Sequence, residues 1–131
     1  MFLIHTVDEG HVPGYEYLPA AAIVPKIGMA LTLNASGQLA AAAGTTAPKY
    51  VCMAERETAV AAGDKIPVIR AEKGIIFETT FTAAAGSVKV GAKVTLSADG
   101  LGVTGTTEGG VAEVVAIDGT ASGDVVRVRF N

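Results

Sequence analysis

The sequence has few of the residues that carry chemistry in enzymes. It contains one cysteine, two histidines and no tryptophan, and only 5% of its residues are aromatic. A single cysteine excludes an intrachain disulfide bond. Cys52 lies in the apolar run from Tyr50 to Ala54, so its expected role is that of a small buried hydrophobe. A nucleophilic cysteine would need a nearby base to lower its pKa, and the sequence assigns none. We therefore expect that the chain is not an enzyme.

No group of residues has the spacing of a metal or phosphate site. His5 and His11 lie near Asp8 and Glu9, a donor set that Zn²⁺ accepts in principle. Nothing in the local pattern fixes their geometry, so we expect solvated polar side chains, with no metal and no cofactor. The glycines between Gly100 and Gly110 lack the Gly-Lys-Ser/Thr ending of a phosphate-binding loop, and they predict a hairpin loop.

Charge and hydropathy also exclude two classes of partner. The formal net charge is −3, and lysine and arginine are scattered singly, so no basic stripe is available for nucleic acid. No run reaches the roughly 18 apolar residues of a membrane-spanning helix. The apolar start, Met1 to Ile4, is soon interrupted by Asp8 and Glu9, which is not the pattern of a signal peptide. We expect a chain that folds in the cytoplasm and contacts neither nucleic acid nor membrane.

The residues that are abundant are small and apolar. The chain has 131 residues, which fits one domain, and half of them are hydrophobic, largely alanine and valine. Small side chains each bury little apolar area, and each Å² buried stabilises the fold by about 25 cal/mol. A single subunit is therefore expected to be only modestly stable, and oligomerisation would add the missing burial.

The pattern of the chain predicts an all-β fold. Short runs with β-branched residues are bounded by Gly, Asn, Asp and Ser, which is typical of strands and turns. Eight such runs predict a small β-sandwich or barrel. The best helical candidate, Ala54–Ala62, fits an alanine-rich loop equally well. The candidate strands are Tyr17–Val24, Ala30–Leu33, Val51–Ala54, Lys65–Ala71, Ile75–Thr80, Lys93–Leu96, Val111–Ile117 and Asp124–Phe130.

Two parts of the chain resemble each other. The segment Gly28–Gly37 aligns with Gly91–Gly100, and Gly63–Arg70 aligns with Gly123–Arg129. This pattern indicates an internal duplication of a three-strand unit, with half-repeats at about 28–70 and 91–129. The alternative is that glycine-initiated strands converge on similar patterns in any β domain.

The last predicted strand has two chemically different faces. Val126, Val128 and Phe130 share one face, and Arg127 and Arg129 lie on the other. The arginines are expected to solvate the outer face, and an ion pair between subunits is the alternative.

Residues 1–16 have no counterpart in the repeat and predict an extended N-terminal arm ahead of a single β domain at 17–131. Such an arm can cross to a neighbouring subunit and add a strand to an exposed sheet edge. The alternative is a terminal strand folded back onto the sheet of its own chain. The residues predicted to bind a neighbouring subunit are Phe2, Leu3, Ile4, Val7, Tyr15 and Tyr17.

Several of these motifs together resemble a known family. The hairpins Gly28–Gly37 and Gly91–Gly100, the Pro25–Gly28 entry and the terminal strand Gly123–Phe130 are similar to those of the small head-decoration proteins of tailed bacteriophages. The resemblance covers about residues 17–131, and the internal duplication departs from the single-unit pattern of that family. The chain also differs from biotinyl or lipoyl carrier domains, because neither of its two hairpin turns holds a lysine.

The resemblance implies a virion structural protein on the capsid exterior, assembled in the host cytoplasm. It implies a homo-oligomer, with a trimer favoured, that binds the major capsid protein and stabilises the expanded shell. The alternative function is a surface-displayed binding module, such as a head-fibre base or a carbohydrate-binding β domain.

Overall fold

The computed structural model describes residues 1–7 and 12–130, and it is all-β with no helix in those ranges. The strands form two antiparallel sheets of five strands each. The predicted small all-β sandwich is thereby confirmed. The strands are β1 Leu3–Val7, β2 Glu16–Pro19, β3 Ala30–Leu33, β4 Leu39–Ala41, β5 Tyr50–Cys52, β6 Lys65–Arg70, β7 Ile75–Thr80, β8 Lys93–Val94, β9 Ala112–Ile117 and β10 Val125–Phe130.

The first sheet has the order β2-β6-β5-β3-β4, and the second has the order β1-β7-β10-β9-β8. Alternation along the strands sets which side chains point inward. On β10, Val126, Val128 and Phe130 are buried, as the sequence predicted, while Arg127 and Arg129 lie on the other face. One side of such a strand must pack against apolar residues and the other must face solvent. A two-sheet sandwich provides both environments.

Several strands differ from their predicted bounds. Ala30–Leu33 and Ile75–Thr80 have the bounds that the sequence predicted, because their β-branched and aromatic residues alternate. The strand predicted at Tyr17–Val24 ends at Pro19. The sequence did not predict β1 or β4, since β4 is mostly alanine and has no alternating pattern. Residues 54–62, the helical candidate, form a loop.

The buried side chains form two clusters. The larger one spans both sheets and contains Phe2, Phe77 and Phe130, whose ring centroids lie 5.2 to 6.5 Å apart. The smaller one lies within the first sheet and its loops, and it includes Leu31 and Val68. All four phenylalanines, including Phe81, are at most 2% exposed. The scarce aromatic area is therefore used in the core, where each ring stabilises the fold most.

Residues 1–7 lie on the chain's own second sheet. β1 pairs antiparallel with β7, and the Phe2 amide donates a hydrogen bond of 2.8 Å to the Gly28 carbonyl. For these residues the structure has the alternative arrangement, a terminal strand on its own sheet. Exchange of this segment onto a neighbouring subunit stays a prediction.

The two sheets contain the same four-strand arrangement. The order β2-β6-β5-β3 in the first sheet corresponds to β7-β10-β9-β8 in the second. We call residues 16–70 the first half and residues 77–130 the second half. The registers also correspond: Val51 pairs with Ile69 in the first half as Glu113 pairs with Arg129 in the second.

Backbone hydrogen bonds repeat between the halves. The Gly28 amide donates to the Cys52 carbonyl at 2.8 Å, and the Gly91 amide donates to the Val114 carbonyl at the same distance. Three pairs of equivalent glycines share a positive φ, where an L side chain is strained. These pairs are Gly28 (+81°) with Gly91 (+94°), Gly37 (+72°) with Gly100 (+71°), and Gly63 (+94°) with Gly123 (+90°).

These matches support the predicted duplication, which stays a prediction. They extend beyond the three strands that the sequence suggested, because β2 and β7 are equivalent too. The residue after each of these strands also makes an equivalent parallel bridge, Ala20 with Leu39 and Phe81 with Val103.

Backbone hydrogen bonds also join the halves to each other. The Ala30 amide donates to the Gly100 carbonyl at 2.8 Å, and Gly44 and Leu96 exchange two bonds of 3.0 and 3.1 Å. A Cβ at Gly100 would lie 3.0 Å from the Ala30 carbonyl oxygen. The turn at residues 97–100 therefore sits directly against the first half.

Candidate subunit-binding surface

Exposed apolar side chains are concentrated in residues 1–17. Leu3, Tyr15 and Tyr17 are 46%, 59% and 62% exposed. Met1 and Val12, in the same stretch, are 47% and 59% exposed. Elsewhere the large exposed hydrophobic residues are Val24, Ile27, Leu33 and Val90. Apolar side chains that gather at one part of a surface mark candidate contact sites.

The structure separates the predicted binding residues into three groups. Leu3, Tyr15 and Tyr17 are exposed, as a contact surface requires. Ile4 and Val7 are partly buried and pack against the larger core cluster. Phe2 is fully buried, with its ring 5.2 Å from that of Phe130 and 6.5 Å from that of Phe77. In this conformation Phe2 stabilises its own chain and is not available to a partner.

The exposed residues lie on two sheet edges. Leu3 belongs to β1, at the edge of the second sheet, and Tyr17 belongs to β2, at the edge of the first. An edge strand presents unpaired backbone groups to which another chain can add. Tyr15 lies directly before β2, two residues from Tyr17.

A shallow depression of about 180 Å³ lies beside Leu3. No sequence pattern predicted it, because its walls come from three strands that are distant in the chain. Its lining residues are Met1, Leu3, Glu78, Thr79, Thr80 and Val125.

Both sheets carry ion pairs close to these edge strands. The Arg70 guanidinium donates two hydrogen bonds to the Glu16 carboxylate, at 2.7 and 3.1 Å. This contact holds the pKa of Glu16 below its usual value. The two residues are far apart in the sequence, and no local pattern could have paired them.

The arginines of β10 pair within the chain. Arg129 contacts Glu113 at 3.0 Å, and Arg127 contacts Glu78 at 3.5 Å. Each side chain stays partly exposed. The Nε of Arg127 is buried and has no hydrogen-bond partner among the residues described. The ion pair between subunits that the sequence left open as an alternative is not needed to satisfy Arg129.

The one cysteine is a core residue. Cys52 is fully buried, which confirms the prediction of a small buried hydrophobe. Burial raises the pKa of its thiol, and its Sγ contacts the Ala54 amide at 3.4 Å. A neutral, enclosed thiol is a poor nucleophile.

Possible metal ligands in residues 1–7 and 12–130 are dispersed. No group of three or more His, Cys, Asp and Glu side chains comes together there. His5 is exposed and contacts the Thr6 hydroxyl at 2.7 Å. His11, Asp8 and Glu9 lie outside the described residues. No helix able to cross a bilayer occurs in the same ranges.

A comparison with models of known protein families and with curated protein sequences finds no match to this chain.

Proposed function

We propose that this protein is a virion structural protein that decorates a bacteriophage capsid and stabilises it by oligomeric binding to the shell. The proposed partners are the major capsid protein and further copies of this chain, with a trimer as the favoured oligomer. One observation carries the proposal beyond the family resemblance. The exposed apolar residues Leu3, Tyr15 and Tyr17 lie on or beside two edge strands.

The proposed binding mode is strand addition. Main-chain hydrogen bonds to an edge supply affinity without requiring a deep pocket, and the side chains along the edge supply specificity. Leu3 on β1 and Tyr17 on β2 would be the side chains that contact the partner. The depression beside Leu3 would receive one apolar side chain of the shell protein.

Weak contacts suffice if the oligomer binds several sites at once. Each added contact within one assembly acts at a high effective concentration, so overall binding can exceed a single contact by about 10² to 10⁴. A small chain with modest binding surfaces fits this mode, because the lattice multiplies each surface.

The direct test measures the oligomer and its binding to shells. We expect sedimentation to show a discrete oligomer, and co-sedimentation to show binding to expanded capsids and none to unexpanded ones. Leu3→Asp and Tyr17→Asp should each weaken binding roughly tenfold or more, since about 1.4 kcal/mol corresponds to tenfold.

Val90→Asp is the matched control, because Val90 is 64% exposed and lies outside residues 1–17. It should bind like the wild type. A monomer at tens of micromolar that ignores both kinds of shell would contradict the proposal.

A second candidate function rests on the two tyrosines. Tyr15 and Tyr17 are both exposed and lie two residues apart, and exposed aromatic rings can stack on sugars. A surface-displayed carbohydrate-binding module would show glycan-array signals that Tyr15→Ala and Tyr17→Ala abolish. A blank array would leave the capsid proposal as the only one.

A further inference from the structure

The two halves meet through different faces. In the first half, Val51 and Ile69 belong to the larger core cluster, whereas Cys52 and Val68 belong to the smaller one. Neighbours along a strand point to opposite faces. The contact between the two halves, which we call the joint, therefore uses the face of the first half that carries Ile69.

The second half contributes its other face. Its equivalent of Ile69 is Arg129, which lies on the exposed side of β10. The residues that enter the joint are Val128 and Phe130, on the opposite side. The joint is thus head-to-tail, because equivalent faces do not meet.

Each half consequently has exposed or partly exposed residues at positions whose equivalents are buried in the other half. In the first half, Ala30, Val51 and Ile69 lie side by side across three strands and are at most 1% exposed. The second half has Lys93, Glu113 and Arg129 at the equivalent positions, also side by side. We call these three residues the charged face.

At the other surface of the joint, the second half has the buried apolar residues and the first half has the charged ones. In the second half, Phe77 and Phe130 stack with centroids 5.4 Å apart and are buried. Register places Glu16 and Arg70 at these positions in the first half. Their side chains form the 2.7 Å ion pair and are 33% and 58% exposed. We call this pair the free end.

A head-to-tail contact does not close on itself with two units. If the two unused surfaces can still bind, further copies add and form a ring or an open filament. At both unused surfaces this chain has ion-paired charges where the used surfaces have Ala, Val, Ile and Phe. Burying such pairs costs desolvation that apolar side chains do not incur.

We propose that this chain contains a head-to-tail contact for a second copy of its own fold. The contact is used once inside the chain and is blocked at both ends by the residues of the charged face and the free end. This inference does not depend on shell binding.

Two variants test the proposal by restoring the apolar chemistry of the joint. The face variant carries Lys93→Ala, Glu113→Val and Arg129→Ile, and the end variant carries Glu16→Phe and Arg70→Phe. Each alone should sediment like the wild type, since each has only one restored surface. Mixed in equal amounts, they should form a new, larger species that contains both.

The control removes charge without adding apolar surface. Glutamine replaces the same five residues in the two variants, and this pair should not associate. A glutamine pair that assembles as readily as the apolar pair would overturn the proposal, and so would folded apolar variants that stay separate when mixed. If the face variant fails to fold, Arg129→Ile with Arg70→Phe carries the same test.

Discussion

Gly28 and Gly91 share a backbone conformation and an equivalent amide hydrogen bond, but only Gly28 is covered by Met1 and Phe2. A Cβ at Gly28 would lie 2.8 Å from the Phe2 amide nitrogen. At Gly91 nothing among the described residues lies within 4 Å of such an atom. The segment that begins with Met1 thus makes the two halves unequal at this point.

This inequality predicts different costs for the same substitution. Alanine at either glycine should lose about 1 kcal/mol or more of unfolding free energy, because φ is positive at both. Gly28→Ala should lose about 2 kcal/mol beyond Gly91→Ala, since Phe2 must also shift. Urea unfolding of the two variants measures the difference, and equal losses would contradict the contact between Phe2 and Gly28.

Arg70 and Phe130 predict a second contrast between equivalent positions. Phe130→Ala should cost about 3–5 kcal/mol, because it removes a buried ring from the larger core cluster. Arg70→Ala should cost much less, since its ion pair with Glu16 is exposed and screened by solvent. Thermal unfolding monitored by circular dichroism distinguishes the two. A large loss for Arg70→Ala would mean that the free end contributes to the core.

Acid should weaken the turn that joins the halves. The Ser97 hydroxyl donates to the Asp99 carboxylate at 2.7 Å, and the Leu101 amide also donates to it at 3.0 Å. These bonds hold the pKa of Asp99 below its ordinary value of 3.8. A lowered carboxyl pKa stabilises the fold above the unfolded pKa, and the contribution is lost as the pH falls through the folded pKa.

Wild type should therefore be more stable than Asp99→Asn at pH 6, and the difference should shrink below about pH 4. Comparing the two proteins cancels the titration of other groups, including Glu16, whose pKa is also lowered. Urea unfolding at both pH values measures the difference. A gap that stays constant with pH would show that ionised Asp99 does not stabilise the turn.

The buried thiol predicts slow chemical labelling. Cys52 is fully buried and its pKa is raised by burial, so a disulfide reagent should react only when the chain opens. Reaction in buffer should be slower than in denaturing urea by orders of magnitude, since the open state is rarely populated. Labelling at the rate of a free thiol in the folded protein would contradict this core position.

The sequence predicted the strands that carry strong alternation and missed those that do not. β7 is rich in β-branched and aromatic residues and β10 places arginines between apolar residues, and both were predicted from the pattern alone. The segment of β1 was assigned to an arm, because its pairing with β7 is a tertiary contact that no local signal reveals.

The alignment of the halves was also visible in the sequence, but their joint was not. Matching Gly63–Arg70 with Gly123–Arg129 places Ile69 opposite Arg129. That correspondence does not say which faces meet, since this depends on how two folded units pack. The Glu16–Arg70 ion pair occupies the positions that Phe77 and Phe130 occupy in the second half. This correspondence can be recognised only when the pairing of the strands is known.

The ring contact between Phe2 and Phe130 has a consequence for how the chain folds during synthesis. These two residues lie near opposite ends of the described chain, and their centroids are 5.2 Å apart. The larger cluster cannot close until β10 has left the ribosome, whereas the smaller cluster uses residues only up to Val68, with Leu101 packed against it. Contacts between distant segments slow folding. The larger core therefore forms only after β10 has been synthesised, later than the smaller one.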